Sequence, residues 1–302
     1  MPLTCRRVGT STYGSAIEKT VTDRLDQLAG DRSTNLQAGR DINYGPTVTE
    51  VIEIAELTVE ARMDRLRGIA GQEAEKRIRD VLSMVGVSLD REPASVQEKA
   101  KDPAFQFALL DVEKAYAASG DVDLATRLTE MLIDRTRREE RSLAQVVLGE
   151  ALIVAPKLTP RLFDAVTALF VLRYVTFTGA RDPSIVIGIL RQHLAPFLEH
   201  WPHSQAEWQH LAYTGCGTLD LITGFDIFDS LRERYKPALD HVDRPSFEAT
   251  LRLAHPAFTV LLDNWEQNVA KSFTLQSVGL AIAHNNWQRV TGERADLEIW
   301  IS

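Results

Sequence analysis

Cysteine is scarce: Cys5 and Cys216 are the two in 302 residues. They stand far apart and one lies in a polar tail, which excludes a disulfide framework and fits a reducing compartment. No HExxH and no CxxC occurs, so the close ligand pairs of ordinary zinc sites are missing. GxGxxG, Walker and GxSxG sequences are also missing, which removes the signatures of nucleotide enzymes and serine hydrolases. Gly39-Arg40-Asp41 lacks the Lys-Ser/Thr pair of a phosphate loop.

Long apolar runs are absent as well. The most apolar stretch, residues 159–177, is interrupted by Arg161, Asp164 and Arg173, whereas a membrane span needs about 20 mostly uncharged residues. No apolar run follows Arg6 and Arg7 in the first twenty residues, so no secretory signal is read there. The expected location is the cytoplasm, with no membrane partner. Positive charge is in deficit, 34 Lys and Arg against 42 Asp and Glu, for a net charge of −8. Such a surface repels phosphate backbones, so a nucleic-acid partner is not expected outside a local basic patch.

What is present is ordinary for a globular chain: 44% hydrophobic and 25% charged residues. Residues 1–46 form a polar tail. Ile17, Val21, Leu25 and Leu28 could share one helical face in it. Farther on, Leu36 and Ala38, then Ile42 and Tyr44, alternate with polar residues around Gly39. That pattern predicts two very short strands, too small to stand alone in water. Leu36, Ala38, Gly39, Ile42 and Tyr44 are therefore candidate assembly residues.

Helical spacing takes over from Thr47. Residues 47–100 read as a long amphipathic helix region, with Gly68 and Gly71 as bends, an end at Gly86 and a short helix after Pro93. Residues 101–200 read as a central helical bundle, with the densest apolar content at 101–177. Asp102-Pro103, Asp121, Ser142 and Thr159-Pro160 mark helix starts. The helix from Thr159 is apolar nearly all round and is expected at the centre. Residues 201–302 read as an α+β region with strand-like segments at 218–223, 272–275 and 296–301, the last two pairing as in a winged-helix wing. The expected fold is mainly α: a helical-bundle core, a small C-terminal α+β part and a short N-terminal β element.

Few residues carry chemistry. His193, His200, His203 and His210 fall close together, yet their spacing suits solvated or capping imidazoles better than a metal site. No metal and no cofactor is expected. Gly215-Cys216-Gly217 follows His210. A thiol beside a histidine could be a nucleophile, but the helix ends there, and a lowered thiol pKa favours a helix start. A tight turn around a small buried residue fits the same letters. Glu150 keeps step with Leu143, Val147 and Val154, which predicts an inward carboxylate paired with Arg135, Lys157 or Arg173. Residues 134–141 mix both signs and read as a solvated helix end.

Three passages together look familiar. They run from Asp102-Pro103-Ala104-Phe105-Gln106 to Glu113-Lys114-Ala115-Tyr116, from Leu132-Ile133-Asp134-Arg135 to Ala155-Pro156-Lys157-Leu158-Thr159, and from Gln209-His210-Leu211 to Gly215-Cys216-Gly217. With Ile299-Trp300-Ile301 at the end, they resemble a family of bacterial proteins of similar length known by locus-derived names. The resemblance covers most of the chain and carries over no catalytic residue. Gln37-Ala38-Gly39-Arg40-Asp41-Ile42 is similar to N-terminal tags of bacterial conflict and phage-defence proteins, which implies self-association or partner recruitment.

Three functions compete on these grounds. The first is a non-enzymatic interaction module that self-associates through its N-terminal region and meets a protein partner. The second is an effector enzyme using Cys216 and His210, and the third a nucleic-acid reader using residues 273–301.

Overall fold

A computed structural model describes residues 47–63, 69–202, 204–220, 224–266 and 269–301. Local sequence chemistry sets most helix starts. Asp102 accepts the Ala104 N–H ahead of α4 (Pro103–Ser119), Asp121 caps α5 (Val122–Arg137), and Ser142 caps α6 (Leu143–Val154). Each such cap supplies an acceptor to otherwise orphaned N–H groups. Proline at the first turn opens α7 (Pro160–Tyr174) and α8 (Pro183–His193).

Upstream lie α1 (Val48–Met63), α2 (Ile69–Leu89) and the short α3 (Ala94–Lys99). Sequence spacing put the end of α2 at Gly86, but the helix continues past it. A Cβ at Gly86 would stand 2.9 Å from Ile52 Cδ1. This glycine marks a tight approach of α1 to α2 and not a stop.

The central helix is α7. Leu162, Phe163 and the run 165–172 are all buried. Its principal neighbour is α14 (Ser277–Thr291), buried without interruption from Gly279 to Trp287. Each large apolar side chain fully removed from water contributes roughly 1.5–3 kcal/mol, so this pair is a large share of the core. The α5 and α6 helices pack beside α14, while α4, α2 and α1 extend the bundle on that side. The chain between α8 and α14 forms α9 (Gln205–Tyr213), α10 (Ile227–Arg234), α11 (Lys236–Leu239), α12 (Arg244–Ala254) and α13 (Pro256–Trp265). One hydrophobic core runs from Ala55 to Ile301. The fold is thus mainly α with a small β element, as the sequence predicts.

That β element is a two-stranded antiparallel ribbon of β1 (Gly217–Leu219) and β2 (Phe273–Leu275), with Thr218 opposite Thr274. The expected wing between residues 272–275 and 296–301 does not form. Leu297–Ile299 is a single 3-10 turn capped by Asp296, with Leu297 buried and Ile299 exposed. One inward residue per turn satisfies the alternation that suggested a strand. Among the described residues no helix is long and apolar enough to cross a membrane.

Candidate functional site

Cys216 and His210 are adjacent in sequence space but not in chemistry. Cys216 is fully buried, and burial pushes its thiol pKa up. The hydroxyl of Thr214 lies 3.5 Å from its sulfur. His210 is exposed, with Nε2 2.9 Å from the Lys157 carbonyl. The two candidates thus sit in different settings: the thiol is desolvated and the imidazole is tied to another segment.

The Gly-Cys-Gly sequence has a packing role. Gly215 takes the left-handed conformation, φ 82°, and lets the Cys216 N–H return to the Leu211 carbonyl. The Cys216 carbonyl accepts the Gln276 N–H at 3.0 Å. Gly217 lies against Phe273 and the Thr274 carbonyl, and a Cβ on Gly279 would stand 1.9 Å from the Cys216 oxygen. The motif ends α9, starts β1 and holds the start of α14.

Glu150 is exposed, contrary to the expectation of an inward carboxylate. Among the described residues no ion pair joins it to Arg135, Lys157 or Arg173. Helix α6 carries apolar residues on two stripes, and the buried one is Ala144, Val147, Leu148 and Ala151. Leu143, Val146 and Ile153 stand on the other stripe with exposures of 57%, 53% and 49%. Glu150 sits between them at heptad spacing. Lys157 is exposed one step farther on, and Arg173 stacks on Phe225 and donates to the Lys271 carbonyl.

Arg135 faces elsewhere. It lines a cleft of about 620 Å³ between α3, the start of α4, the end of α5 and the start of α6. The guanidinium lies over Gly149, whose built Cβ would be 3.5 Å from Nε. Burial works against its charge, and the Asp102 carboxylate supports it. Arg141 stands at the same cleft with φ 59°, the one non-glycine residue with positive φ among those described. Its N–H is held by Gln145 Oε1 at 2.8 Å.

A second polar cluster escaped the sequence reading. Buried Arg127 pairs with Asp123 at 2.8 Å, hydrogen-bonds Asn286 Oδ1 and stacks on Phe163. Asn286 in turn donates to the Thr167 hydroxyl at 2.8 Å. Arg289 joins through Asp123 at 3.0 Å. Burial raises the pKa of neighbouring Asp164, and Arg127 opposes the shift. These groups lock α5, α7 and α14 into one arrangement. No single helix announces them, since Arg127 and Asn286 alone lie 159 residues apart.

Leu36, Ala38, Gly39, Ile42 and Tyr44 lie outside the described residues. His203 does too. Among the described residues no group of three or more His, Cys, Asp or Glu could hold a metal ion.

Fold and surfaces together define a mainly helical protein with an apolar seam on α6 and a cationic cleft at the start of that helix. The chain belongs to a protein family carrying a locus-derived "-like" name, whose model matches residues 45–243 and 238–301. No curated protein and no solved structure matches it.

Proposed function

We propose that the protein is a non-enzymatic helical interaction module. The observation that carries this reading is the exposed seam of Leu143, Val146 and Ile153 on a helix whose opposite stripe is already buried. Three half-exposed aliphatic side chains at heptad spacing form the kind of surface that another helix covers.

The partner we infer is a second copy of the chain. Two α6 helices laid antiparallel about Gly149 set Val146 against Ile153 at both ends of the contact. Glu150 stands beside that crossing, where two like charges weaken the contact at neutral pH. The segment with Leu36, Ala38, Gly39, Ile42 and Tyr44 supplies a further self-association surface, in line with its similarity to recruitment tags.

Light scattering over a range of protein concentrations tests the reading. The full chain is expected above monomer mass, Val146→Glu closer to monomer, and Glu150→Gln tighter than the parent. Deleting residues 1–46 is expected to lower the mass further. A strict monomer unchanged by every one of these changes would refute it.

A further inference from the structure

The cleft beside α6 carries more charge chemistry than the fold requires. Four cations line it, Lys99, Lys101, Arg135 and Arg141, against three anions, Glu98, Asp102 and Glu140. Most of these have partners. Lys101 pairs with Glu98 at 2.7 Å, Lys99 donates to the Arg138 carbonyl at 2.7 Å, and Asp102 accepts the Ala104 N–H at 2.6 Å. Arg135 and Arg141 have no ion pair or side-chain hydrogen bond among the described residues.

That leaves the guanidinium groups of Arg135 and Arg141 at the cleft with Asp102, which supports the Arg135 charge, and Glu140 as the nearby carboxylates, in a space of about 620 Å³. The volume falls within the roughly 300–1,000 Å³ of small-molecule sites. Phe105, buried, and Pro103 give the cleft an apolar wall. Two further features single the place out. Arg135 is half-buried with no protein acceptor for its guanidinium among the described residues, so its N–H donors remain available to a ligand in the cleft. Arg141 holds a backbone conformation that a non-glycine side chain rarely adopts, and such strain gathers at ligand sites.

We propose that this cleft binds a small ligand through a carboxylate or phosphate group, held by Arg135 with Arg141 at the rim. The planar guanidinium fork matches both oxyanions by paired hydrogen bonds. The apolar wall takes the remainder of the ligand.

Thermal melting of the full chain tests this with sodium phosphate and sodium succinate, each against sodium chloride at equal ionic strength. The melting temperature is expected to rise with phosphate, succinate or both, and the one that acts identifies the preferred group. Arg135→Gln should weaken the fitted affinity by about tenfold or more, the loss of a charge-assisted contact. Arg141→Gly relieves the backbone, so it should melt no lower than the parent yet respond less to the anion. It decides the matter if Arg135→Gln fails to fold. Arg79→Gln, on the exposed face of α2, should respond like the parent. The proposal is overturned if neither anion acts beyond chloride, or if Arg135→Gln or Arg141→Gly responds in full.

Discussion

At the scale of single residues, identity mattered most where the chain passes closest to itself. Cys216 was legible as the centre of an unusual tripeptide, and the letters allowed both a nucleophile and a turn. Position decides between them. A thiol whose pKa burial raises is a poor nucleophile, and of the flanking glycines Gly215 is demanded by its left-handed backbone and Gly217 by its packing against Phe273. We expect Gly279→Ala to lower stability by roughly 3 kcal/mol or more, since its Cβ would meet backbone that cannot rotate away. Urea denaturation measures this, and a loss under about 0.5 kcal/mol, the range of an ordinary surface change, would show that the contact yields easily. The partner of Gly279 lies 63 positions upstream at Cys216, so no local pattern could have announced it.

At the scale of elements, helix starts could be read from the sequence while helix faces could not always be. Asp102, Asp121 and Ser142 cap the helices that their side chains predict. The apolar residues of α4 and α5 leave one face for the core, and Leu124, Leu128, Met131 and Leu132 are buried as their spacing requires. Helix α6 is apolar on two stripes, so periodicity alone could not say which one the bundle takes. Small Ala144 and Ala151 let that face pack closely, and the larger aliphatics with Glu150 stay outside. The polar lock between α5, α7 and α14 is the opposite case. Arg127 falls among buried leucines because Asp123, Asn286 and the Phe163 ring accept it. Arg127→Ala should cost about 3 kcal/mol, because it strands buried partners. Equilibrium unfolding checks the value, and a neutral substitution would mean that the cluster contributes no net stability.

At the scale of the whole molecule, local pattern predicts α14 within a C-terminal α+β region, next to a winged-helix-like wing. The structure sets it against α7 at the centre. Continuous apolar character marked α7 as central, whereas α14 disguises its burial with polar residues. His284 Nε2 donates to the Ala295 carbonyl, 2.9 Å away, and Asn286 bonds within the lock. The long return from β1 to β2 leaves no trace in local periodicity either.

Burial of the histidines has a consequence for acid stability. Desolvation lowers the pKa of both His193 and His284 in the fold. Glu293 faces His193, while Asp134, Arg138 and Asp296 lie near His284. Depressed folded values mean that unfolding takes up protons below the ordinary histidine pKa of about 6.5. Their contribution is therefore complete above that pH and is lost as pH falls toward the folded values. Glu130 and Asp164, whose carboxyls burial pushes up, act in the opposite sense. Urea midpoints should decline from about pH 7.5 to pH 5.5, and His284→Gln should flatten the decline. Midpoints that rise over this range would contradict the assignment.

Self-association through α6 is the central functional claim, and trapping the contact tests it most directly. In a Cys5→Ser background, Val146→Cys combined with Ile153→Cys places one thiol at each end of the proposed crossing. Mild oxidation should give a covalent dimer on a denaturing gel, linked between positions 146 and 153, while native Cys216 stays unreacted in its buried site. Monomer alone, at concentrations where light scattering reports a larger species, would place the contact elsewhere and contradict the account.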